Sequence, residues 1–291
     1  MKIDIINDEI YIRGLKAFNL KSMLECGQAF RWDKDNTEEY IGIVKEMVIK
    51  VRQYGDTLIF RTSGGLESIP FWINYFDIER DYVQLESELL EDKTIAPAVF
   101  FSSGNRILKQ DPWECLMSFI ISSNNRIPMI KKVIQNLSEN YGDPITFEGS
   151  TYYSFPDSKV LSEISVEEIT ECKCGYRAEY IKKTSEMVMQ IEGKLESLRE
   201  KDTHEAFRVL TNFRGVGPKV ANCVLLFSLQ KYDAFPIDTW IKRIMEHLYF
   251  QGEKASIKKI EETARERFGD KAGFVQQYLF YYARENWDEI S

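Results

Sequence analysis

The 291-residue chain has few histidines, no paired-cysteine framework, no membrane-length apolar run and no excess of positive charge. Its two histidines, His204 and His247, occupy unrelated positions, which argues against a metal-dependent hydrolase. The five cysteines are odd in number and lack the spacing of a disulfide scaffold. The apolar run from Val220 to Leu229 is too short to cross a bilayer, and charged residues near the N-terminus are unlike a signal peptide. We therefore expect a soluble intracellular protein, in the cytoplasm or nucleoid if the source is prokaryotic.

The net charge is −8, from 46 acidic and 38 basic residues, which by itself argues against a nucleic-acid-binding protein. DNA contacts only one face of a protein, however, so a local basic patch can outweigh the overall sign. Residues 211–250 carry five basic and three acidic side chains. This local excess permits DNA binding without establishing it.

The most informative segment is 211–240, which begins Thr-Asn-Phe-Arg-Gly-Val-Gly-Pro-Lys-Val-Ala-Asn-Cys and ends Phe-Pro-Ile-Asp-Thr-Trp. Gly215 and Gly217 permit the left-handed or crowded backbone of a tight turn, and Pro218 predicts a helix start. The free amides of a first helical turn attract phosphate, and Lys219 lies beside them. An amine next to a bound phosphodiester suggests chemistry on DNA, although the same lysine could simply bind phosphate.

This segment resembles the helix–hairpin–helix motif and Gly/Pro–Asp loop of the base-excision DNA glycosylases. A lysine at the position of Lys219 is similar to that of the bifunctional members, which are both glycosylases and lyases, and Asp238 matches their catalytic aspartate. The hairpin alone also occurs in purely structural DNA-binding modules. The hairpin, the lysine and the aspartate together at this spacing are much more specific.

Further segments resemble the 8-oxoguanine DNA glycosylases in particular. They read Gly-Gln-Ala-Phe-Arg-Trp at 27–32, Asp-Pro-Trp-Glu-Cys running on to Ser-Ser-Asn-Asn at 111–125, Gly-Tyr-Arg-Ala at 175–178, and Gly-Phe-Val-Gln-Gln-Tyr-Leu-Phe at 273–280. The resemblance runs in order from about residue 10 to about residue 285. No cysteine follows Cys223, so the iron–sulfur loop of endonuclease III-type relatives is absent.

Sequence periodicity predicts strands first and helices afterwards. Residues 1–65 read as strands, because apolar and polar side chains alternate over 39–44, 47–52 and 57–61, as in an antiparallel sheet with one buried face. Helical patterns take over from Pro70. Helix-start signals stand at Asp111, Ser165, Asp202, Asp238 and Ser256.

The expected fold class is α+β, with an N-terminal antiparallel β-sheet domain packed on a two-part, all-helical body that contains the helix–hairpin–helix motif. We place the β domain, with some helices, at 1–104 and the helical domain with the hairpin at 105–230. A C-terminal helical part at 231–291 would complete the base pocket. The resemblance implies a reactive cleft between the two helical parts.

The expected chemistry depends on Lys219 and Asp238. A free lysine is almost fully protonated at pH 7, but partial burial at a helix N-terminus is expected to lower the pKa of Lys219 and supply a nucleophile for C1′. Asp238 precedes a predicted helix and would serve as its N-cap. The resemblance implies a second, compatible task for this carboxylate: it would stabilise the positive charge at C1′ and help to position the lysine.

The resemblance also implies four residues that bind the extruded base. Phe280 and Cys223 would sandwich the purine, and Gln276 would bond its Watson–Crick edge. The carbonyl of Gly27 would accept the N7 proton that 8-oxoguanine has and guanine lacks. Taken alone, Phe280 reads as a core residue and Cys223 as a buried thiol, whereas Gln276 stands out as a polar residue in an apolar helix.

The family's DNA contacts map onto further positions. Asn124 would fill the gap left by the extruded base, Tyr176 would act as the wedge beside it, and Arg177 would contact the orphaned base; Asn124 taken alone would be a helix C-cap. The amides around Gly217 and Lys219 would hold phosphate. An optional structural cation would bind the backbone carbonyls of Thr211, Phe213 and Val216, and no cofactor or catalytic metal is implied.

Two positions depart from the best-known members of the family, which come from animals. Met129 replaces a second arginine that reads the cytosine opposite the lesion. Because a thioether cannot donate a hydrogen bond, we predict weaker discrimination among opposite bases. Trp240 replaces a histidine that contacts phosphate; its indole N–H could donate to phosphate, or its ring could pack.

The resemblance thus implies a bifunctional repair enzyme that extrudes and excises 8-oxoguanine through a lysine Schiff base and then cleaves the strand by β-elimination. Its expected partner is double-stranded DNA containing 8-oxoguanine, with no membrane association, and we expect a monomer. One alternative is a helix–hairpin–helix glycosylase of another base specificity, which the N-terminal β domain and the missing cysteine cluster disfavour. The other is a non-catalytic DNA-binding protein, which would not explain why Lys219 and Asp238 occur together.

Overall fold

The computed structural model describes residues 1–191 and 195–290. Antiparallel strands near the N-terminus form one six-stranded sheet in the order β1-β2-β6-β5-β4-β3. These strands are β1 (Lys2–Ile6), β2 (Glu9–Arg13), β3 (Trp32–Lys34), β4 (Tyr40–Val44), β5 (Met47–Tyr54) and β6 (Thr57–Thr62). The strands predicted at 39–44, 47–52 and 57–61 are confirmed as β4, β5 and β6. Residues 192–194 of the second predicted part and Ser291 of the third lie outside the described residues.

A short helix, α1 (Leu20–Glu25), interrupts the segment that was interpreted wholly as strands, and at these residues that interpretation was wrong. The Asn19 side chain caps the helix by accepting a hydrogen bond from the backbone N–H of Ser22 at 3.1 Å. Leu20, Met23 and Leu24 are buried, and this spacing of three and four gives the helix one apolar face. Helix α1 ends at Glu25, and its C-cap residue Cys26 immediately precedes Gly27.

Helices make up most of the remaining described chain. They are α2 (Ile69–Tyr75), α3 (Tyr82–Leu89), α4 (Ala96–Phe101), α5 (Pro112–Ser122), α6 (Ile127–Tyr141), α7 (Ser158–Glu163), α8 (Val166–Ile169), α9 (Arg177–Val188), α10 (Thr203–Thr211), α11 (Pro218–Phe227), α12 (Thr239–Tyr249), α13 (Ile257–Phe268) and α14 (Ala272–Ile290). The fold class is α+β, as predicted. No helix in the described residues is long and apolar enough to cross a membrane.

The predicted helix-start signals are confirmed. At each of them a side-chain oxygen accepts a hydrogen bond from a backbone N–H in the first turn, which satisfies a donor that has no partner within the helix. The capping residues are Asp111, Ser165, Asp202, Asp238 and Ser256. Ser165 and Glu168 form the predicted reciprocal capping box.

A two-stranded hairpin, β7 (Pro144–Phe147) and β8 (Ser150–Tyr153), interrupts the predicted all-helical body. Its turn residues Glu148 and Gly149 have φ angles of 47° and 75°, the left-handed geometry of a tight hairpin turn. The Glu148 carboxylate accepts hydrogen bonds from Lys50 and Arg61 of the large sheet, each at 2.6 Å. The hairpin therefore joins the helical body to the sheet.

Two hydrophobic cores hold these parts together. The smaller core lies between the sheet and α2, and includes Ile12, Val51, Phe60 and Trp72. The larger core fills the helical body and draws on α5, α11, α12 and α14. Helices α5 and α11 pack against each other, as do α12 and α14. Helices α11, α12 and α14 carry the predicted site residues Lys219, Cys223, Trp240, Gln276 and Phe280.

Candidate active site

The hairpin between α10 and α11 needs glycine at only one of its two predicted glycine positions. Gly215 has a φ of +79°, and a Cβ atom added there would lie 2.7 Å from ring carbons of Tyr180. Gly217 has an extended backbone with a φ of −92°, and an added Cβ would meet no protein atom within 4 Å. The expectation of left-handed or crowded backbone is confirmed for Gly215 and wrong for Gly217.

Lys219 lies in the first turn of α11 and is half-buried. Its Nζ atom lies over the ring of Phe119, 5.0 Å from the centroid, an arrangement that favours a cation on the face of the ring. Phe119 belongs to α5 and stacks on Phe227 of α11, with 5.6 Å between ring centroids. Within the described residues Lys219 forms no ion pair; its amine faces the Phe119 ring and also interacts with the Cys223 thiol.

Asp238 caps α12, as predicted. Its Oδ1 atom accepts a hydrogen bond of 2.8 Å from the backbone N–H of Ile241. Burial raises the pKa of Asp238 above its usual value, while the bond from Ile241 and the positive charge of Lys219 oppose that change. The capping bond fixes the carboxylate at the edge of the cleft that also contains Lys219.

One cleft brings together all the residues predicted for catalysis and base binding. Those residues are Gly27, Lys219, Cys223, Asp238, Gln276 and Phe280. The cleft is also lined by residues that the sequence analysis did not single out: Cys26, Gln28, Phe119, Phe227, Pro236 and Gln277. Of these residues, Gln277 could most easily have been predicted from the sequence, because it is a second polar residue beside Gln276 in an apolar helix.

Two hydrogen-bond acceptors in the cleft have no donor among the described residues. The Gln276 side chain is 4% exposed, and its Oε1 atom is buried without a partner. The Gly27 carbonyl accepts no backbone or side-chain hydrogen bond in the described part of the chain. The buried Gln276 Oε1 atom without a donor costs free energy, and the half-buried Gly27 carbonyl is free to accept. The cleft is therefore suited to a ligand that presents donors to both acceptors.

Gly27 is favoured for its backbone conformation rather than for lack of space. Its φ is +87°, and an added Cβ would make only ordinary contacts, the nearest with Ile127 Cδ1 at 3.7 Å. Cys223 is buried, and burial raises the pKa of its thiol, which keeps the sulfur neutral. Phe280 is half-buried, with the Arg284 guanidinium 5.7 Å from its ring centroid.

Asn124, Tyr176 and Arg177 converge on the loop that follows α5. Asn124 is exposed with a φ of +52°. The Arg177 guanidinium donates to the carbonyls of Ser123 and Asn124, with its Nε atom 3.0 Å from the Ser123 oxygen. Tyr176 is 56% exposed, and its ring lies 4.5 Å from the Arg177 guanidinium carbon. Arg177 thus holds the loop that presents Asn124.

Met129 and Trp240 occupy the two positions that were predicted to depart from the family pattern. Met129, in the first turn of α6, is 46% exposed. The Trp240 ring packs against Trp287 in a T-shaped arrangement with 6.1 Å between centroids, and the Arg243 guanidinium lies 5.5 Å from the Trp240 ring. No acceptor among the described residues meets the Trp240 N–H. The Trp240 ring therefore packs against Trp287, and its indole N–H remains free to donate a hydrogen bond.

The hairpin carbonyls proposed for a structural cation differ in their hydrogen bonding. Phe213 accepts from the backbone N–H of Val216 at 3.2 Å, whereas the carbonyls of Thr211 and Val216 have no donor in the described residues. Elsewhere in the described chain, no cluster of three or more His, Cys, Asp or Glu side chains could hold a metal ion.

A glycine hairpin leads into a helix whose lysine shares one cleft with a capping aspartate. This arrangement resembles that of the lysine-containing helix–hairpin–helix DNA glycosylases, and comparison with known proteins supports the resemblance. Residues 117–269 match the family described as HhH-GPD superfamily base excision DNA repair protein. Residues 11–116 match the 8-oxoguanine DNA glycosylase, N-terminal domain. The chain belongs to the 8-oxoguanine DNA glycosylase family, whose members are N-glycosylases and lyases acting on apurinic or apyrimidinic sites, and it is an enzyme of that kind.

Known proteins of this family resemble the chain over most of its length. An 8-oxoguanine glycosylase/lyase of Clostridium acetobutylicum, solved with double-stranded DNA containing cytosine opposite 8-oxoguanine, is 44% identical with a TM-score of 0.94 and covers 98% of each chain. A probable N-glycosylase/DNA lyase of Methanothermobacter thermautotrophicus is 35% identical over 72% of each chain. An N-glycosylase/DNA lyase of Arabidopsis thaliana is 32% identical over 87% of this chain and 74% of its own length.

Proposed function

We propose that this enzyme extrudes 8-oxoguanine from duplex DNA, removes it with Lys219 as the nucleophile and then cleaves the strand by β-elimination. The observation that carries the proposal is the pair of open acceptors in the cleft of Lys219. 8-Oxoguanine presents N–H donors on its Watson–Crick edge, where the Gln276 Oε1 atom would accept, and an N7–H donor for the Gly27 carbonyl. Guanine has no proton at N7 and would leave the Gly27 carbonyl without a partner.

Base removal begins with attack of the unprotonated Lys219 Nζ on C1′. A bond forms between Nζ and C1′ while the bond from C1′ to N9 of the base breaks, and the base takes the bonding electrons. The Asp238 carboxylate stabilises the positive charge that develops on the sugar. The phenyl ring beneath Nζ excludes water from one side of the amine and orients it towards the sugar.

Strand cleavage follows from the same covalent intermediate. Opening of the sugar ring gives an imine between C1′ and Nζ, which acidifies the C2′ proton. Loss of that proton and of the 3′ phosphate then forms a C2′–C3′ double bond. Hydrolysis of the imine releases the product and regenerates the Lys219 amine.

We propose that the loop after α5 and the hairpin before α11 hold the duplex around the extruded base. Asn124 and Tyr176 would enter the gap in the helix, and Arg177 would keep Asn124 in place and approach the orphaned base. The exposed backbone at Gly217 and the free N–H of Trp240 would bind phosphates. The exposed thioether of Met129 gives the opposite base no hydrogen bond, so preference for the opposite base would be weak.

Borohydride trapping on a duplex with one 8-oxoguanine tests the proposal. We expect a covalent adduct with the wild-type enzyme and none with Lys219→Gln, which keeps similar length and removes the nucleophile. An undamaged duplex of the same sequence is the control and should give no adduct. If the wild-type protein binds the damaged duplex but is never trapped, Lys219 is only a phosphate contact and the proposal is wrong.

A further inference from the structure

A buried hydrogen bond joins the residue before Gly27 to the residue after Gln276. Gln277 Nε2 donates to Cys26 Sγ at 2.9 Å. The Cys26 thiol in turn donates to the Met23 carbonyl at 3.4 Å, within α1. Both side chains are buried, and both line the cleft of Lys219. This contact therefore links the two elements that carry the open acceptors.

The residue on the other side of Gly27 is fixed independently. Gln28 Nε2 donates to the carbonyls of Met23 and Arg106 at 3.0 and 2.9 Å, and Gln28 Oε1 accepts from the Leu108 N–H at 2.9 Å. These bonds hold Gln28 to α1 and to the chain before α5. None of these bonds is made to α14 itself, whereas the bond from Gln277 to Cys26 joins the Gly27 segment to α14 directly.

We infer that Cys26 and Gln277 are positioning residues that hold the Gly27 carbonyl and the Gln276 amide at the spacing of 8-oxoguanine, and so determine discrimination against guanine. The inference rests on the proposed function. A hydrogen bond to N7–H requires about 2.7–3.2 Å between heavy atoms, so a small shift of Gly27 relative to α14 would lose it. A second tie, from Arg284 Nη2 to the Glu25 carbonyl at 3.0 Å, keeps α1 on α14 when the first is removed.

The Gln277→Met variant tests this role, because methionine fills similar volume and removes the N–H donor. We expect the rate of 8-oxoguanine excision to fall about tenfold, which is the effect of one neutral hydrogen bond. β-Elimination at a preformed abasic site should fall much less, because no base occupies the cleft. The ratio of the excision rate for 8-oxoguanine to that for guanine should therefore fall.

Substitutions at Cys26 give an independent test. Cys26→Ser retains an acceptor for Gln277 and should excise 8-oxoguanine at nearly the wild-type rate. Cys26→Ala removes the acceptor, so its excision rate should fall as much as that of Gln277→Met. In the double variant with Gln277→Met, the effect of Cys26→Ala should largely vanish. Cys172→Ala, which removes a buried thiol that does not line the cleft, is the matched control.

Two outcomes would overturn the inference. Gln277→Met and Cys26→Ala could excise 8-oxoguanine at the wild-type rate, or they could lose excision and abasic-site elimination in parallel, as a general structural defect would cause. Both outcomes differ from failure of the proposed function, in which the wild-type enzyme itself forms no borohydride adduct with 8-oxoguanine DNA.

Discussion

The Asp238 side chain caps α12 and, in the proposed mechanism, also stabilises positive charge on the sugar; two substitutions separate these tasks. Asp238→Asn keeps the cap of α12, since asparagine caps helices about as well as aspartate, but it removes the negative charge. We expect stability to change by less than about 0.5 kcal/mol and single-turnover base release to slow by about 100-fold or more. Asp238→Ala should show the same slow release and also lose roughly 1 kcal/mol of stability. Equal activity of Asp238→Asn and wild type would contradict the chemical role.

Burial also affects how Asp238 responds to pH. Its pKa lies above the usual 3.8, so the ionised form is lost at a higher pH than for an exposed aspartate. If the ionised carboxylate is the active form, the rate of base release should begin to fall above pH 3.8 as the pH is lowered. Single-turnover rates measured over the range in which the protein stays folded, with Asp238→Asn as the control, would show this.

The side chain at position 129 should control preference for the opposite base. With Met129, we expect excision rates opposite C, A, G and T to lie within about tenfold, or ~1.4 kcal/mol. Met129→Arg adds donors to the exposed first turn of α6 and should favour C by a further 1–3 kcal/mol, about the contribution of one bidentate contact. Single-turnover rates on four otherwise identical duplexes measure this, with Met129→Leu as the control. If the four excision rates of Met129→Arg differed no more than those of the wild-type enzyme, position 129 would not reach the opposite base.

At the scale of secondary-structure elements, the two hairpin glycines should respond differently to alanine. Gly215→Ala places a Cβ against Tyr180 in a left-handed backbone and should destabilise the fold by roughly 1–3 kcal/mol. Gly217→Ala meets open space, so stability should change by less than about 0.5 kcal/mol, while DNA affinity falls because the new methyl group lies where phosphate would approach. Urea unfolding and DNA-binding titrations of both variants distinguish the effects. If Gly217→Ala bound DNA with the affinity of the wild-type protein, Gly217 would not be part of the DNA interface.

Local signals predicted the elements well where the determinants are close in sequence. The caps at Asp111 and Ser256 and the strand at 47–52 depend on residues within a few positions, and all three are confirmed. The strict alternation expected of that strand is wrong, because the consecutive residues Val48 and Ile49 are both buried. Helix α1 was missed because it has a single turn and a half inside a strand-rich segment. The β7–β8 hairpin was missed although Glu148-Gly149 between β-branched and aromatic residues is a recognisable turn signal.

The site contains further contacts that could not be predicted, because they join residues far apart in the sequence. Motif spacing predicted Lys219, Asp238 and Gln276, and the structure brings them to one cleft. The ring of Phe119 beneath Lys219 and the bond from Gln277 to Cys26 depend on packing between elements far apart in the chain. No local pattern encodes such contacts, so they could be found only in the structure.

At the scale of the whole molecule, a partly buried ion pair lies where the sheet domain meets the helical body. Arg31, next to β3, approaches Glu114 in the first turn of α5, with 3.6 Å between Nη1 and Oε2. The same guanidinium donates to the Tyr153 carbonyl of β8. Burial raises the pKa of Glu114 from 4.5 to about 7, although the charge of Arg31 opposes the change.

This pKa predicts how stability depends on pH. The folded protein holds the Glu114 proton more tightly than the unfolded chain does, so the contribution is complete below pH 4.5 and is lost as the pH rises towards 7. Between pH 5 and 8, the free energy of unfolding of wild type should fall by about 2 to 3 kcal/mol more than that of Glu114→Gln. Urea unfolding of both proteins at the two pH values measures the difference. Parallel pH profiles would show that Glu114 does not titrate in this range.

The base cleft is assembled from the two ends of the chain, because Cys26 and Gln277 are 251 positions apart. A ribosome that adds about 5–20 residues per second needs at least about 12 seconds between these positions. Lys219 is synthesised 57 residues before Gln276, which takes at least about 3 seconds at the same rate. During that time the nascent chain has the proposed nucleophile but lacks Gln276 and Phe280, the residues proposed to bind the base. In the proposed mechanism, a chain truncated before α14 would therefore have the nucleophile without the side chains that select the base.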